Sequence, residues 1–245
     1  MRTIRHSGRV MDLRRVCVIL PALDEADALP AALASFPAGV DLVVVDNGST
    51  DATAAVAVAH GARVVREGRR GFGSACWAGV LAAADAEVVA FADADGSFDG
   101  AELGAVAGPV LAGDADLVVG SRLRGDRDQG AMSWLAVVEN RVLAAACRVL
   151  FGVPVSDLGP FRAIRRDALV ALGIVDRGQG WPLEMIGRAG RAGLRVAEVP
   201  VSYRRRAGGR SKVAGSLPGT IRAMAAMGGV VVRLLAERPR PRAAG

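Results

Sequence analysis

Two carboxylates, Asp93 and Asp95, stand two residues apart directly after the apolar run Val88–Ala92. At the end of a strand, such a pair can converge on one hard cation. Mg²⁺ and Mn²⁺ prefer oxygen ligands and commonly bridge to phosphates, so a cation here would stabilise a leaving diphosphate. The residues that follow, Gly96 and Ser97, also suit a turn and a helix cap. The spacing alone leaves both interpretations open.

A second polar segment follows the apolar run Leu42–Val45. Asp46 comes first, Gly48 provides a turn, and Thr50 or Asp51 could cap the next helix. An acidic side chain at a strand end can also hydrogen-bond a nucleobase or a ribose. Asp46 is therefore a candidate for nucleotide recognition, with a turn and cap as the alternative.

Glycines and basic residues form a third group of candidates. Arg70 and Gly71 precede a helical pattern, where backbone N–H groups can approach phosphate. The glycine spacing matches neither a dinucleotide fingerprint nor a Walker loop. A glycine-containing basic loop further on suits a mobile lid over phosphate, with a solvated charged face as the alternative. The other basic candidates are Arg122, Arg162, Arg204, Arg205, Arg206, Arg210 and Lys212.

The elements that must position these residues alternate along the first half of the chain. Short apolar runs predict strands at Val16–Leu20, Leu42–Val45, Arg63–Val65, Val88–Ala92 and Leu117–Val119. Helical spacing predicts helices at Ala26–Phe36, Asp51–His60, Ala75–Ala84 and Asp99–Ala112. This alternation predicts an α/β doubly wound domain with a parallel sheet buried on both faces. Ligands bind beyond the carboxyl ends of such strands, which is where the polar motifs lie.

The second half of the chain predicts an elaborated C-terminal part. Its patterns indicate strands at Phe161–Ile164 and Arg195–Val201. They indicate helices at Met132–Phe151, Asp167–Leu172, Pro182–Ala192 and Leu217–Glu237.

Composition excludes several classes of protein. With 51% hydrophobic and 23% charged residues in 245, the chain is neither disordered nor fibrous. No charge-free stretch reaches the roughly 18 apolar residues of a membrane-spanning helix. The net charge of +6 first suggests a nucleic-acid partner. However, an aromatic content of 4% gives little support for a surface on which bases could stack. The separated cysteines, Cys17, Cys76 and Cys147, are expected to be buried rather than paired.

Together and in this order, the motifs resemble those of the family 2 inverting glycosyltransferases, specifically the branch of dolichol-phosphate mannose synthase and other polyprenyl-phosphate enzymes. The matching segments are Leu20–Glu25, Val44–Thr53, Arg70–Ala75, Ala92–Asp95, Val119–Arg122, Val155–Arg162, Leu183–Ile186, Glu198–Val201 and Gly209–Lys212. The resemblance implies the GT-A fold, with a doubly wound, mostly parallel sheet flanked by helices. It also implies sugar transfer from a UDP- or GDP-sugar to an acceptor, with a polyprenyl phosphate as the main expectation and a soluble hydroxyl compound as the alternative.

The resemblance further implies roles for the matching residues. Asp46 would bind the base, and Asp93 and Asp95 would hold Mg²⁺ or Mn²⁺. Ser97 stands where relatives often carry a Gln as a further metal ligand. The residues implied to contact the nucleotide or its diphosphate are Pro21, Asp24, Glu25, Asp46, Arg70, Gly71, Asp93, Arg206 and Lys212.

The acceptor decides which catalytic groups are needed. A phosphate acceptor is anionic near neutral pH and could attack the anomeric carbon without a strong base, with Arg122 positioning it and Asp95 holding the cation. A hydroxyl acceptor would require a carboxylate base. Asp157 is the candidate for that base or for orienting the acceptor. The alternative for Asp157 is a cap or an ion pair that holds the segment of Phe161 and Arg162.

The last helix carries an apolar stripe, formed by Leu217, Ile221, Met224, Val231 and Leu235. Such a helix suits contact with anionic lipid, packing on the domain, or packing on a second subunit in a homo-oligomer. We expect a cytoplasmic protein that is peripheral at the inner membrane face if this helix binds lipid. The expected organisation is a disordered lead-in (1–15), a GT-A catalytic domain (16–213), a C-terminal helix (214–237) and a disordered tail (238–245).

Two other functional classes serve as alternatives. A sugar-1-phosphate nucleotidyltransferase would need a glycine-rich basic loop after the first strand, where Pro21 and Ala22 stand instead. A non-catalytic binding module, including one for nucleic acid, is disfavoured by the carboxylate pair and the low aromatic content.

Overall fold

The computed structural model describes residues 5–6, 9–10, 12–208 and 217–237, with side chains described for 12–208 and 225–237. A sheet of seven strands has the order β5-β4-β3-β6-β8-β7-β9, and β1 pairs separately with β2. The strands are β1 (Arg5–His6), β2 (Arg9–Val10), β3 (Val16–Ala22), β4 (Asp41–Asp46), β5 (Arg63–Arg66), β6 (Val88–Phe91), β7 (Leu117–Ser121), β8 (Arg162–Arg165) and β9 (Val196–Pro200).

Helices cover both faces of the large sheet. The helices are α1 (Leu29–Ala34), α2 (Thr53–Ala59), α3 (Phe72–Ala82), α4 (Leu103–Leu111), α5 (Trp134–Phe151), α6 (Arg166–Leu172), α7 (Trp181–Arg191) and α8 (Leu217–Ala236). One core lies under α3, α5, α6, α7 and α8, and the other lies under α1, α2 and α4. Among the residues described, no helix is long and apolar enough to cross a bilayer. The predicted doubly wound fold is confirmed.

Alternation along β3 explains why its sequence is apolar throughout. Cys17 and Ile19 enter the first core, whereas Val16, Val18 and Leu20 enter the second. A strand covered on both faces has no polar side, which is typical of parallel sheets in α/β proteins.

One antiparallel strand shapes the functional edge of the sheet. The strand β8 runs antiparallel to both neighbours, whereas the other pairs in the large sheet are parallel. The register pairs Arg162, at the start of β8, with both Phe91 and Val119. The residue that opens β8 therefore lies at the same edge as the carboxyl ends of β6 and β7, where Asp93 and Arg122 follow.

Two expectations for the first βα unit were wrong in detail. Pro21 does not end the first strand, because β3 continues to Ala22. On the β6 side the ladder ends at Ile19, so the missing N–H of Pro21 removes no bond there. The helix expected from Ala26 starts only at Leu29, because earlier amides donate to side chains of the next unit.

The two chain ends are described only in part. In the expected lead-in, β1 and β2 pair antiparallel and a 3₁₀ helix spans Leu13–Arg15. Residues 209–216 and 238–245 lie outside the described residues, so the loop with Lys212 and the tail remain predictions. In the part of α8 whose side chains are described, Val230 and Leu234 are buried, Met227 and Val231 pack partly buried against the same core, and Leu235 is half exposed. This part of the helix thus packs on the domain, with Val231 of the predicted stripe in contact and Leu235 outside it.

Candidate active site

A cavity of about 390 Å³ opens at the carboxyl edge of the sheet. Its wall combines charged and polar side chains with apolar ones. Its charged and polar lining residues are Glu25, Asn47, Asp93, Asp95, Arg122, Glu139, Asn140, Arg162, Gln179, Tyr203 and Arg206. Its apolar lining includes Met132, Ala136, Leu143, Leu158, Pro160, Pro182 and Met227. The predicted site residues that share this one cavity are Pro21, Glu25, Asp93, Asp95, Arg122 and Arg206.

The carboxylate pair lies in the wall of this cavity, in the turn after β6. Asp95 is buried, and its Oδ1 accepts hydrogen bonds from the backbone N (2.9 Å) and the Oγ (2.5 Å) of Ser97. The Asp93 carboxylate receives no hydrogen bond and forms no ion pair within the described part of the chain. Desolvation, together with the charge of Asp95, raises the pKa of Asp93 to about 7.

Arg206 connects the carboxylate pair to the loop after β3. Its Nη1 lies 2.8 Å from Oδ2 of Asp95, and its Nη2 lies 2.7 Å from Oε1 of Glu25. The neighbouring amide of Ala207 donates to the carbonyl of Asp95 at 3.0 Å. Burial opposes the charge of Arg206, but Asp95 and Glu25 outweigh it and raise the pKa of the guanidinium. The segment after β9 is therefore held directly over the carboxylates.

The chemistry of the carboxylate pair fits a hard divalent cation. The described residues contain no group of three or more acidic, His or Cys side chains that could enclose a metal. Two carboxylates leave coordination positions for water and phosphate oxygens, which is how Mg²⁺ is usually held in phosphate-transfer sites. Ser97 is fully buried with its hydroxyl committed to Asp95, so in this structure it orients that carboxylate.

The loops after β3 and β4 shape each other through side chains. Asp24 has a left-handed backbone (φ 47°), and its Oδ1 accepts from the backbone N of Thr50 at 2.6 Å. The backbone N of Asp24 donates to Oγ of Ser49 at 3.0 Å. Asp46 accepts from the backbone N of Ser49 at 2.8 Å. Neither Asp24 nor Asp46 lines the cavity, so both act here on the shape of the loops.

The turn before α3 has its amides occupied. Gly71 N donates to Oδ1 of Asn47 at 2.8 Å, and the amides of Gly73 and Ser74 donate to carbonyls of residues 178 and 177. Gly71 has a φ of 143°, and a Cβ there would collide with the carbonyl of Arg177. Arg70 donates to the carbonyl of Gly48 at 2.9 Å. Arg70 and Gly71 lie beside the loop after β4, but the amides expected to approach phosphate already have protein acceptors.

Asp157 is committed to Arg122. It is fully buried, and its carboxylate accepts from the backbone N (2.7 Å), Nε (3.0 Å) and Nη2 (2.8 Å) of Arg122. Burial opposes the charge of Arg122, but the hydrogen bonds and charge of Asp157 outweigh it and raise the pKa of the guanidinium. Glu198 in turn accepts from the backbone amides of Ser156 and Asp157 at 2.8 and 3.0 Å. Asp157 does not line the cavity, and it holds Arg122 in its wall.

The cavity lining also includes residues that were not among the predicted site residues. Asn140 and Glu139 come from α5, and Tyr203 carries the Arg122 guanidinium 5.3 Å from its ring centre. Arg162 was noticed only as a basic position. Asn140 is the polar residue in the otherwise apolar buried stripe of α5, and this is the signal that could have identified it.

Comparison with known proteins identifies the family. Residues 17–173 match the family model described as Glycosyl transferase family 2. The chain belongs to this family. A glycosyltransferase of Mycobacterium tuberculosis is 50% identical over 208 residues, covering 84% of this chain and 93% of that protein. The assignment expected from the motifs is confirmed.

More distant family 2 relatives include enzymes with named substrates. The polyprenol monophosphomannose synthase of Mycolicibacterium smegmatis is 33% identical and covers 84% of each chain. The undecaprenyl-phosphate mannosyltransferase of Micrococcus luteus is 30% identical, covering 84% of this chain and 90% of that protein. These relatives belong to the branch that the motifs resemble.

Solved structures of another sugar-transferring enzyme share the fold. Glucosyl-3-phosphoglycerate synthase from Mycobacterium tuberculosis, crystallised with Mn²⁺, UDP and glucosyl-3-phosphoglycerate, superposes with a TM-score of 0.71 at 25% identity. The superposition covers 89% of this chain and 79% of that one.

Proposed function

We propose that this protein transfers a sugar from a UDP- or GDP-sugar to a polyprenyl phosphate, with inversion at the anomeric carbon and with Mg²⁺ or Mn²⁺ as cofactor. The observation that carries the proposal is the single cavity, which joins a carboxylate pair and arginines to an apolar wall. The carboxylates and arginines suit a donor diphosphate and its cation, and the apolar lining residues suit a lipid-linked acceptor.

The donor half of the site is assigned to the loops after β3, β4 and β6. Pro21 and Glu25 line the cavity, and Asp24 and Asp46 fix the loops beside it. Arg206, which bridges Glu25 and Asp95, is available to bind diphosphate oxygens. The UDP and Mn²⁺ present in the structure of glucosyl-3-phosphoglycerate synthase support a nucleotide and a divalent cation for this chain as well.

Asp93 and Asp95 would hold the cation, which when bound supplies positive charge that stabilises the leaving nucleoside diphosphate. In the transfer, an acceptor oxygen forms a bond to the anomeric carbon from the face opposite the leaving group. The bond from that carbon to the diphosphate oxygen breaks, and its electron pair leaves with the nucleoside diphosphate. Arg122, fixed by Asp157, orients the acceptor. A phosphate acceptor is already anionic, so the described site needs no strong base for this step.

The walls of the acceptor half favour a lipid. Met132, Leu143 and Met227 line this end of the cavity. The opposite side of α5 exposes a row of apolar side chains, including Trp134 (77% exposed), Val138 (47%) and Val142 (53%). Exposed apolar rows of this kind are uncommon on monomeric proteins and suit contact with a membrane surface. The names of the relatives that act on polyprenol or undecaprenyl phosphate point the same way.

A soluble hydroxyl acceptor is the second candidate. The structural relative was crystallised with glucosyl-3-phosphoglycerate, which supports such an acceptor. A hydroxyl acceptor would require a base, and Glu139 supplies a carboxylate in the acceptor half of the described cavity. Desolvation by burial raises the pKa of Glu139.

A transfer assay with radiolabelled sugar tests the proposal. The purified full chain is incubated with a panel of UDP- and GDP-sugars, with Mn²⁺ or EDTA, and with either a short-chain polyprenyl phosphate or phosphoglyceric acid. We expect label to enter the polyprenyl phosphate only when divalent cation is present, with an anomeric configuration opposite to that of the donor. Transfer only to phosphoglyceric acid would favour the second candidate, and no transfer from any sugar nucleotide would refute both.

A further inference from the structure

Besides Nε of Arg206, two hydrogen-bond donors in the cavity wall have no partner among the described residues. Nη1 of Arg162 and Nδ2 of Asn140 are buried atoms without a hydrogen bond to any described group. Arg162 is 2% exposed and Asn140 is 6% exposed, and both line the cavity. A buried donor without an acceptor is destabilising, so such a pair at one cavity suggests that a ligand supplies the acceptor.

Both donors are held rigidly by the same backbone unit. Oδ1 of Asn140 accepts from the N of Leu158 at 3.0 Å, and Nη2 of Arg162 donates to the O of Leu158 at 3.1 Å. Nε of Arg162 also donates to the carbonyl of Pro160 at 3.3 Å. Leu158 itself lines the cavity. These hydrogen bonds fix both side chains, and they leave Nδ2 of Asn140 and Nη1 of Arg162 as spare donors.

The charge at this position calls for an anion. Burial lowers the pKa of Arg162 to about 10, so the guanidinium stays protonated at neutral pH. No ion pair to Arg162 is formed within the described residues. Arg122, the neighbouring cation, is neutralised by Asp157, whereas Asn140 adds a donor without charge. The charges of Asp93 and Asp157 act on Arg162, but its described hydrogen bonds go to the carbonyls of Pro160 and Leu158. A neutral sugar hydroxyl would satisfy one spare donor without adding negative charge, whereas a phosphate would supply both acceptor oxygens and charge.

We infer that Arg162 and Asn140 form a subsite for the phosphomonoester group of the acceptor, with Nη1 and Nδ2 donating to its oxygens. The inference rests on the proposed function and adds the residues that recognise the acceptor. A guanidinium and an amide donor held in fixed positions suit a phosphate with several acceptor oxygens. The phosphate could belong to a polyprenyl phosphate or to a soluble phosphorylated compound, which share this chemistry.

The sharpest variant is Asn140→Asp. It keeps the oxygen that accepts from Leu158 N, but it replaces the spare donor by a carboxylate oxygen that repels an anion. We expect the acceptor KM to rise about 10- to 100-fold, with the donor KM unchanged. Gln129→Glu is the matched control, because it makes the same change of charge on an exposed side chain outside the cavity, and we expect it to leave both values unchanged.

Binding measured without turnover separates the subsite from the reaction. Calorimetry would compare two probes, a short-chain polyprenyl phosphate in detergent micelles and phosphoglyceric acid in buffer. We expect wild-type protein to bind at least one of them, and Asn140→Asp and Arg162→Lys to bind it more weakly. The preferred probe identifies the source of the phosphate. The inference is overturned if neither probe binds wild-type protein, or if both variants, still folded by thermal unfolding, bind as wild type does. Loss of probe binding in a protein that transfers no sugar would support the subsite while refuting the proposed function.

Discussion

The side chains around Asp95 have partners that depend on one another. Asp95 accepts from Ser97 on one oxygen and pairs with Arg206 on the other, while Asp93 has no described partner. A cation at this pair would compete with Arg206 for Asp95. The ability of Asp95 to hold a cation therefore depends on Ser97 and Arg206, which already contact its carboxylate.

Asp95→Asn should lower kcat by at least about 100-fold, because the amide loses the charge that would hold the cation at the diphosphate. The measurement is sugar transfer over a range of Mn²⁺ concentrations. Asp99→Asn is the control, since Asp99 only caps the following 3₁₀ helix and lies outside the cavity wall. Full activity of Asp95→Asn would contradict the role of the pair.

Asp157→Asn should destabilise the fold by about 3 kcal/mol, because it leaves the buried Arg122 with a neutral partner. We expect the acidic limb of the pH profile of kcat/KM to remain, since Asp157 positions an arginine rather than accepting a proton. Chemical denaturation and a pH profile provide the two measurements. Asp126→Asn, an exposed carboxylate between β7 and α5, is the control. Disappearance of the acidic limb in a folded variant would assign Asp157 as the base.

The three cysteines should not react in the native protein at pH 8. All are buried and free, and desolvation raises the pKa of Cys17 and Cys147 to about 12 and that of Cys76 further. The thiolate is the reactive form, so little of it exists at that pH. Titration with an aromatic disulfide reagent should give no fast signal until guanidinium is added. Rapid labelling of the folded protein would disagree with this burial.

At the scale of elements, the strands were the easiest part to predict. Apolar runs located β3, β4, β6 and β7, because strands buried on both faces are mostly apolar. The strands β5, β8 and β9 were also located, although they carry Arg or Glu. The start of α1 was not predictable from local spacing, because its preceding amides are bound by Ser49, Thr53 and Asp51 from the next unit. The direction of β8 also has no local signal.

The same limit applies to the candidate site. Motifs pointed to the carboxylate pair and to Arg206, which meet in one cavity. The partners of Asp157 and the spare donors of Asn140 and Arg162 depend on contacts across the fold. Such contacts leave no periodic pattern in the sequence.

A buried cluster attaches α8 to α7. Glu184 is fully buried and accepts from Nε of Arg188 at 2.6 Å, from Nη2 of Arg233 at 2.9 Å and from two backbone amides. Glu184→Gln should destabilise the protein by about 3 kcal/mol and should expose α8 to trypsin, because the arginines lose their counter-ion. Urea unfolding and limited proteolysis measure the two effects. Glu237→Gln, a more exposed partner of Arg188, should cost about 1 kcal/mol or less. An equal loss of unfolding free energy in the two variants would argue against a larger contribution from the buried Glu184.

At the scale of the whole molecule, α5 separates the cavity from an exposed apolar surface. The inner face of α5 lines the cavity with Ala136, Asn140 and Leu143, while its outer face exposes Trp134, Val138 and Val142. For the last helix the sequence left lipid contact, packing on the domain and packing on a second subunit open, and its described part packs on the domain through Val230 and Leu234.

Replacing both Trp134 and Val138 by Glu should weaken binding to anionic phospholipid vesicles by about tenfold or more, because two apolar side chains leave the interface. Vesicle flotation gives the bound fraction. Transfer to a short-chain acceptor in detergent should be retained, since neither residue lines the cavity. Val58→Glu, on α2 at the other face of the sheet, is the control. Unchanged flotation of the double variant would exclude this surface as the membrane contact.

The antiparallel pairing of β7 with β8 has a consequence for how such a protein can diversify. The chain leaves the sheet after Ser121 and returns at Arg162, and the two strands are paired neighbours at that edge. Residues 122–161, which include α5, thus form one closed excursion from a fixed pair of anchors. Exchanging or lengthening this excursion would replace much of the acceptor wall while leaving the register of the sheet and the carboxylates after β6 untouched. Much of the cavity wall around α5 therefore belongs to one continuous stretch, whereas the wall around the carboxylates is assembled from several separate loops.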